Sequence, residues 1–401
     1  MKRVLNVARA LPLVLGMMAC GAADQRAGTG LPNTRPPSIS VGDLLWKLDL
    51  APDDSYEFHG SPAVAGDLVV AMWPGGMLGI ERRTGRVRWR DSVWTSMPAF
   101  ASLSARDGTA CLASVRWVGC YDTESGRRLW GAPPPRDARA GPDAITPSGL
   151  FVVLVADGVV RAYDARSGAL RWATPVDTVT AASRFTVAGV VADDSLAIVD
   201  AITGPMYAAR QSRGLVAALR LRDGAIVWQT RFADQPSGAA VPVQLSRDLV
   251  LVADINAGKV RALRRSTGEL VWDSHSAPQQ AVTSDGYLVI RGDTVFAGSP
   301  DTHVYALDPA TGRVMWSIKT PASPFGLGQC GPWIVANDAR LAFIRPGVPT
   351  MRWGPPGSAD LNDAFGVGDD VLSQLTTAPE GTAIYVTTSK GVIAVSCTDS
   401  T

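Results

Sequence analysis

The chain has 401 residues, 46% apolar and 19% charged, with a net charge of +1. That balance supplies a substantial core and excludes the strongly basic or acidic surface that nucleic acid or a highly charged partner would need. Three histidines (His59, His275, His303) and five cysteines leave little material for metal centres.

The first element is an export signal. Lys2 and Arg3 precede the apolar run ALPLVLGMMAC, which is too short to span a bilayer and has the shape of a signal peptide over residues 1–19. The run ends in Met-Met-Ala-Cys and resembles a bacterial lipobox, with Met17 where Leu is usual. Two cleavage sites remain open: before Cys20, or after Gly21–Ala23 with Cys20 discarded. The first is preferred, and the lipobox resemblance then implies acylation of Cys20. Stable anchoring takes more than one acyl chain, because each buried CH2 contributes only about 0.8 kcal/mol. By the same resemblance, Gly21 rather than Asp after the cysteine implies the outer membrane. Residues 20–41 are small, polar and rich in Gly and Pro, a composition that reads as a flexible tether.

From Trp46 onward one unit recurs. DTESGRRLW, DARSGALRW and DPATGRVMW are close copies of each other, and ERRTGRVRW, RLRDGAIVW and RRSTGELVW are looser ones. Successive Trp residues (Trp46, Trp89, Trp130, Trp172, Trp228, Trp272, Trp316, Trp353) lie 43, 41, 42, 56, 44, 44 and 37 residues apart. Such a period fits helical pairs or propeller blades. The residue types choose between them: DLVVAM, LVLVADI, AIYVTT and HVYALD are short, rich in Val and aromatics, and bounded by Gly, Asp or Pro, as strands are. Four such strands per unit make an all-β propeller blade.

The repeated residues read as scaffold. Gly85, Gly126, Gly168, Gly224, Gly268 and Gly312 supply the positive φ of a short hairpin turn, and the preceding Asp, where present, caps that turn. Trp89, Trp130, Trp172, Trp228, Trp272 and Trp316 offer a flat apolar surface to the neighbouring blade, each contributing about 1.5–3 kcal/mol on burial. With these residues the repeat resembles that of the pyrroloquinoline-quinone (PQQ)-like β-propeller superfamily, over residues 42–397, with 398–401 as a tail.

Six blades end at those six Trp residues, and a seventh keeps Trp353 behind an irregular turn with Pro346 and Gly347 displaced. The final unit, GTAIYVTTSKGVIAVSC, has no closing Trp, whereas DLLWKLDL near the N-terminus has Trp46 and no strands before it. The N-terminal strand is therefore expected to complete the last blade, giving eight blades, with seven as the alternative. Blade four is longest, and its excess around DAITGPMYAARQSRG marks Met206, Tyr207, Arg210 and Arg213 as a candidate partner loop.

Without Cys20, four cysteines remain in an oxidising compartment. A two-residue turn at Val115–Arg116 would set Cys111 opposite Cys120 on adjacent strands, within bridging range. Cys330 and Cys397 fall in the last two blades and form the second expected bridge.

Two functions of different class follow. A PQQ- and Ca²⁺-dependent quinoprotein dehydrogenase of alcohols or sugars needs a cluster of hard oxygen ligands and a carboxylate base. The alcohol dehydrogenases that the superfamily resemblance brings in carry adjacent bonded cysteines. This chain has no Cys-Cys pair, and its Asp-Asp pairs, at Asp53, Asp193 and Asp369, are scattered. His59 and His303 read as blade residues. The preferred expectation is a non-enzymatic, monomeric binding scaffold with no catalytic, cofactor-binding or metal residues. It would touch the membrane only through its lipid, facing the periplasm or the cell surface. Its architecture is similar to that of the propeller lipoprotein of the outer-membrane β-barrel assembly machinery, which implies envelope proteins, or small ligands, as partners at the propeller loops.

Overall fold

The computed structural model describes residues 40–398 except 51–59, 74–75, 93–101, 115–116, 134–139, 156–157, 177–184, 204–212, 233–243, 247, 255–258, 276–287, 300, 321–323, 325, 338–340, 349–350, 354–371 and 389. Every described element is a strand, and the strands form eight four-stranded antiparallel sheets arranged as blades in a ring. Blade 1 consists of Ala63–Ala65, Leu68–Trp73, Gly76–Glu81 and Val87–Ser92, in that spatial order. Blades 2 to 7 repeat the plan over 102–132, 140–175, 185–232, 244–275, 288–319 and 326–353.

Blade 8 joins the two ends of the chain. Leu372–Thr377, Ala383–Thr388 and Gly391–Ser396 supply its first three strands, and Leu44–Asp49 is the fourth. The closing ladder pairs Leu44 with Val395 and Asp49 with Gly391. Eight blades and closure by the N-terminal strand therefore match the expectation from the sequence.

The burial pattern explains why the strand types differ in composition. Second and third strands are covered on both sides by neighbouring blades, so Thr109–Ala113 and Ala383–Thr388 are buried at every position and carry unbroken small or apolar runs. Fourth strands lie at the circumference, and Val87–Ser92 and Val314–Lys319 alternate between half-buried and exposed. First strands of successive blades, such as Ala63–Ala65 and Ser102–Arg106, lie against one another toward the axis. The core is therefore divided into clusters between blades. Val70, Met72 and Met77 of blade 1 pack on Ala110, Leu112 and Tyr121 of blade 2. Phe296 and Val304 of blade 6 pack on Ile334 and Ala342 of blade 7.

Candidate functional site

The six Gly–Trp units build a latch that crosses from one blade to the next. Trp46 lies on Gly85, Trp89 on Gly126, Trp130 on Gly168, Trp172 on Gly224, Trp228 on Gly268 and Trp272 on Gly312. A Cβ at any of these glycines would stand within 3 Å of the indole, and each glycine has a φ between 69° and 74°. The same indole donates its N–H to a backbone carbonyl three residues before that glycine: Arg82, Thr123, Ala165, Leu221, Arg265 or Pro309, at 2.6–2.9 Å. One side chain thus buries apolar area and meets its polar requirement on the neighbouring blade. A one-residue bulge accompanies the Trp: Gly79 pairs with Trp89 but Ile80 pairs with Val87, which turns Arg88 outward.

The turn carboxylates are local caps. Asp308 accepts hydrogen bonds from the N–H groups of Ala310 and Thr311, both 2.9 Å, and from the Thr311 hydroxyl. Asp164 likewise takes the Ser167 N–H and hydroxyl. The Arg171 guanidinium, followed by these bonds, holds the Asp164 carboxyl down at about 2.

Blade 7 departs from the latch at both of its seams. Trp316 packs into the cluster shared by blades 6 and 7 and sits edge-on to Phe296 of its own blade. Among the described residues it has neither a turn glycine beneath it nor a carbonyl for its indole N–H. Gly347, in the irregular turn, has open space where the other glycines meet an indole. At the seam with blade 8, a disulfide joins Cys330 to Cys397. Cys397 donates its backbone N–H to Thr382, just as Arg82 does to Asp67, Thr123 to Gly108 and Arg265 to Asp248, so it occupies the same place in the repeat. The side chain at that place reaches the preceding blade in two other seams, where Arg82 binds Glu380 and Arg265 binds Asp193. The second disulfide, Cys111–Cys120, lies inside blade 2 between directly paired residues. Cys20, Met206, Tyr207 and Arg210 lie outside the described residues. Arg213 opens the strand Arg213–Arg220 and pairs with Thr203.

His59 also lies outside the described residues. His303 stands in the hairpin of blade 6, where its Nδ1 is 2.9 Å from the Asp301 carbonyl. Burial, together with the Asp301 carboxylate that accepts its hydroxyl, pushes the Tyr305 phenol up. No three His, Cys, Asp or Glu side chains come together in a metal-holding group among the described residues. Of the first strands, Ala63–Ala65, Ser102–Arg106, Leu288–Arg291 and Gly326–Cys330 contain no carboxylate, whereas Ala140–Ile145 contains Asp143.

A cleft of about 970 Å³ opens where blade 8 meets blade 1, lined by Leu45, Arg82, Arg83, Arg86, Arg88 and Glu380 among others. Arg82 spans the seam at its base, donating to the Tyr385 hydroxyl at 3.1 Å and to the Gly66 carbonyl at 2.9 Å, besides its pair with Glu380. Arg86 and Arg88 share Glu81 at 2.7 and 3.3 Å. The Arg86 bond, then that of Thr84, holds the Glu81 carboxyl at about 2. Four guanidiniums thus converge on one end of a single blade. In the sequence this concentration is masked by the repeat, because ERRTGRVRW also reads as a copy of the shared unit. The signal was present in what that copy did not share with the rest.

Comparison with known proteins places these features. The sequence model of the family described as outer membrane protein assembly factor BamB matches residues 35–155, 114–208 and 156–344. The curated outer membrane protein assembly factor BamB of Burkholderia pseudomallei (strain K96243) is 26% identical over 219 residues, 54% of this chain. The chain spans about half of that relative, 53% of its length. Among solved structures, BamB from Moraxella catarrhalis superposes with a TM-score of 0.63 at 17% identity, over 88% of this chain and 96% of that one. The quinohemoprotein alcohol dehydrogenase ADHIIG from Pseudomonas putida HK5 superposes with a TM-score of 0.62 at 14% identity, over 87% of this chain and 72% of that one. At these identities both superpositions speak for the shared propeller fold alone.

Proposed function

The chain belongs to the family of the outer membrane protein assembly factor BamB, and from that membership we propose that it is a non-enzymatic scaffold of the cell envelope. It holds protein partners on the loops and rim of a rigid propeller. The observation that carries this reading is the family match over residues 35–344, on a ring closed through its N-terminal strand. The distribution of chemistry agrees with it. Repeated side chains serve the seams, and the conspicuous unrepeated charges lie on the surface of the blade 8–blade 1 cleft. Such a surface suits recognition, because charge there steers and orients partners.

Export and anchoring complete the proposal. Residues 1–19 direct export, Cys20 carries the acyl chains, and residues 21–39 lead to the outermost strand of blade 8. The segment of blade 4 with Met206, Tyr207, Arg210 and Arg213 is a second contact region, in the longest of the repeat intervals, Trp172 to Trp228.

Affinity capture of the full chain from its native envelope, after brief chemical cross-linking, tests this function. The expected result is co-recovery of a membrane-embedded assembly protein, and of fewer copies after Cys20→Ala. Recovery of no envelope protein overturns the scaffold. Incubation with PQQ and Ca²⁺ supplies the other arm: dye reduction with a simple alcohol or sugar would make the protein an enzyme.

A further inference from the structure

The outer strands of the six latched blades share one plan and differ in what they present. Counting from the turn glycine, the residues at the first, third and fifth positions lie toward the outside. These are Ala169, Arg171 and Ala173 in blade 3, Ala225, Val227 and Gln229 in blade 4, and Glu269, Val271 and Asp273 in blade 5. In blade 6 they are Arg313, Met315 and Ser317; in blade 2 the same positions hold Arg127, Leu129, which packs on the core cluster of Cys111 and Cys120, and Gly131, covered by Trp117. Blade 1 alone carries arginine at all three, Arg86, Arg88 and Arg90, each exposed. Side chains two apart on a strand stand about 6–7 Å from one another, which sets the step from Arg88 to Arg90, while Arg86 precedes the strand and continues the row across the bulge at Arg88.

Local acids do not neutralise the ladder. Arg86 and Arg88 share the one Glu81 carboxylate, whereas Asp91, on the same strand, is taken by Arg128 of blade 2 at 2.9 Å. Arg90 lies over the Trp73 ring at 5.4 Å, a contact that leaves its charge open to solvent. Arg83 lines the adjoining cleft and has no carboxylate partner among the described residues. The backbone is available as well. Val87–Ser92 is the outermost strand of its sheet, and no described strand pairs with its outer edge.

We propose that the outer strand of blade 1 is a docking edge for an extended acidic segment of a protein partner. Asp or Glu at alternate positions of that segment would face Arg86, Arg88 and Arg90, while its backbone takes up the free strand edge. The two-residue step selects a strand with alternating carboxylates over a run of contiguous ones, whose successive side chains point to opposite faces. It also favours a peptide over a bilayer of anionic headgroups, which needs neither a fixed step nor a backbone partner. The proposal deepens the scaffold reading by giving one partner segment a chemistry.

The test uses fluorescence anisotropy with the full chain and two labelled nine-residue peptides of one composition. One has Glu alternating with Thr; the other has its Glu residues contiguous. The alternating peptide should bind at least about tenfold more tightly, a difference of about 1.4 kcal/mol. Arg88→Gln with Arg90→Gln should weaken it by at least about the same factor. Arg88→Glu with Arg90→Glu should abolish binding and create affinity for an alternating Lys–Thr peptide, an outcome that misfolding cannot produce. Equal binding of the two Glu peptides overturns the proposal. So does Arg-dependent binding to vesicles of phosphatidylglycerol and phosphatidylcholine with no binding of either peptide. Capture of the same envelope partners by wild-type and charge-reversed chains would sink the docking edge and leave the scaffold standing.

Discussion

Two sets of seams hold the ring together by different means. From blade 8 round to blade 6, each junction has a Trp lying on the next blade's turn glycine and bonded to that turn's carbonyl. The two junctions of blade 7 have no such latch among the described residues. The difference follows from topology at the blade 8 side. A latch needs the hairpin turn that joins a third strand to a fourth, and in blade 8 those strands come from opposite ends of the chain. Where that turn would begin, Cys397 is bonded to Cys330. A covalent bond stands at a seam where the repeat cannot supply its own contact.

Breaking one latch is the largest expected perturbation. Trp228→Ala removes a side chain that is 7% exposed together with its bond to Arg265, and should lower stability by about 3–5 kcal/mol. Trp316→Ala, which has no turn beneath it, should cost about 1.5–3 kcal/mol. Urea unfolding of both variants checks the ordering, and equal losses would mean that the latch is no stronger than ordinary packing. Replacing Cys330 and Cys397 by Ser opens a loop of 67 residues. In the chain-entropy account that removes about 4 kcal/mol, against about 2.6 for the nine-residue loop of Cys111 and Cys120. Denaturation midpoints of the two double variants should keep that order.

A smaller effect sharpens the role of the glycine. Gly268→Ala meets both a positive φ and the Trp228 ring, at about 2–4 kcal/mol, whereas Gly347→Ala has open space and should cost about 1 kcal/mol. Thermal melting separates them. The smallest effect is that of acid on the turn caps. The folded-state pKa of Asp164 lies below its unfolded value of about 3.9. Its stabilisation is therefore present above that value and lost as pH falls through about 2. Asp164→Asn should flatten the stability profile between about pH 4 and 2, and an unchanged profile would remove the cap from the account.

Much of this architecture is legible in the sequence. The spacing of Gly and Trp identified blades, and a closing strand without partners at one end, set against an unclosed blade at the other, identified the ring. What could not be read was the direction of each contact. Nothing in DPATGRVMW says that Trp316 belongs to its own strand while Gly312 receives the indole of Trp272. That assignment depends on the rotation between blades, a tertiary quantity. The bulge before each Trp was hidden for the same reason, since a period of two gives no warning of an inserted residue. The basic rim of blade 1 was visible as letters, but its meaning required knowing that Arg86, Arg88 and Arg90 share an outer edge.

Closure through Leu44–Asp49 also sets an order of events in time. A chain that is made from its N-terminus delivers this strand before the other strands of the ring, and its partner Gly391–Ser396 after them. Until then the strand waits with both edges unpaired, across a separation of more than 340 residues, and such distant pairings form slowly. A chain that stops short by one blade cannot close at all, and leaves an apolar edge open to proteases and chaperones. The join therefore acts as a check on completeness: only a finished polypeptide hides its seam.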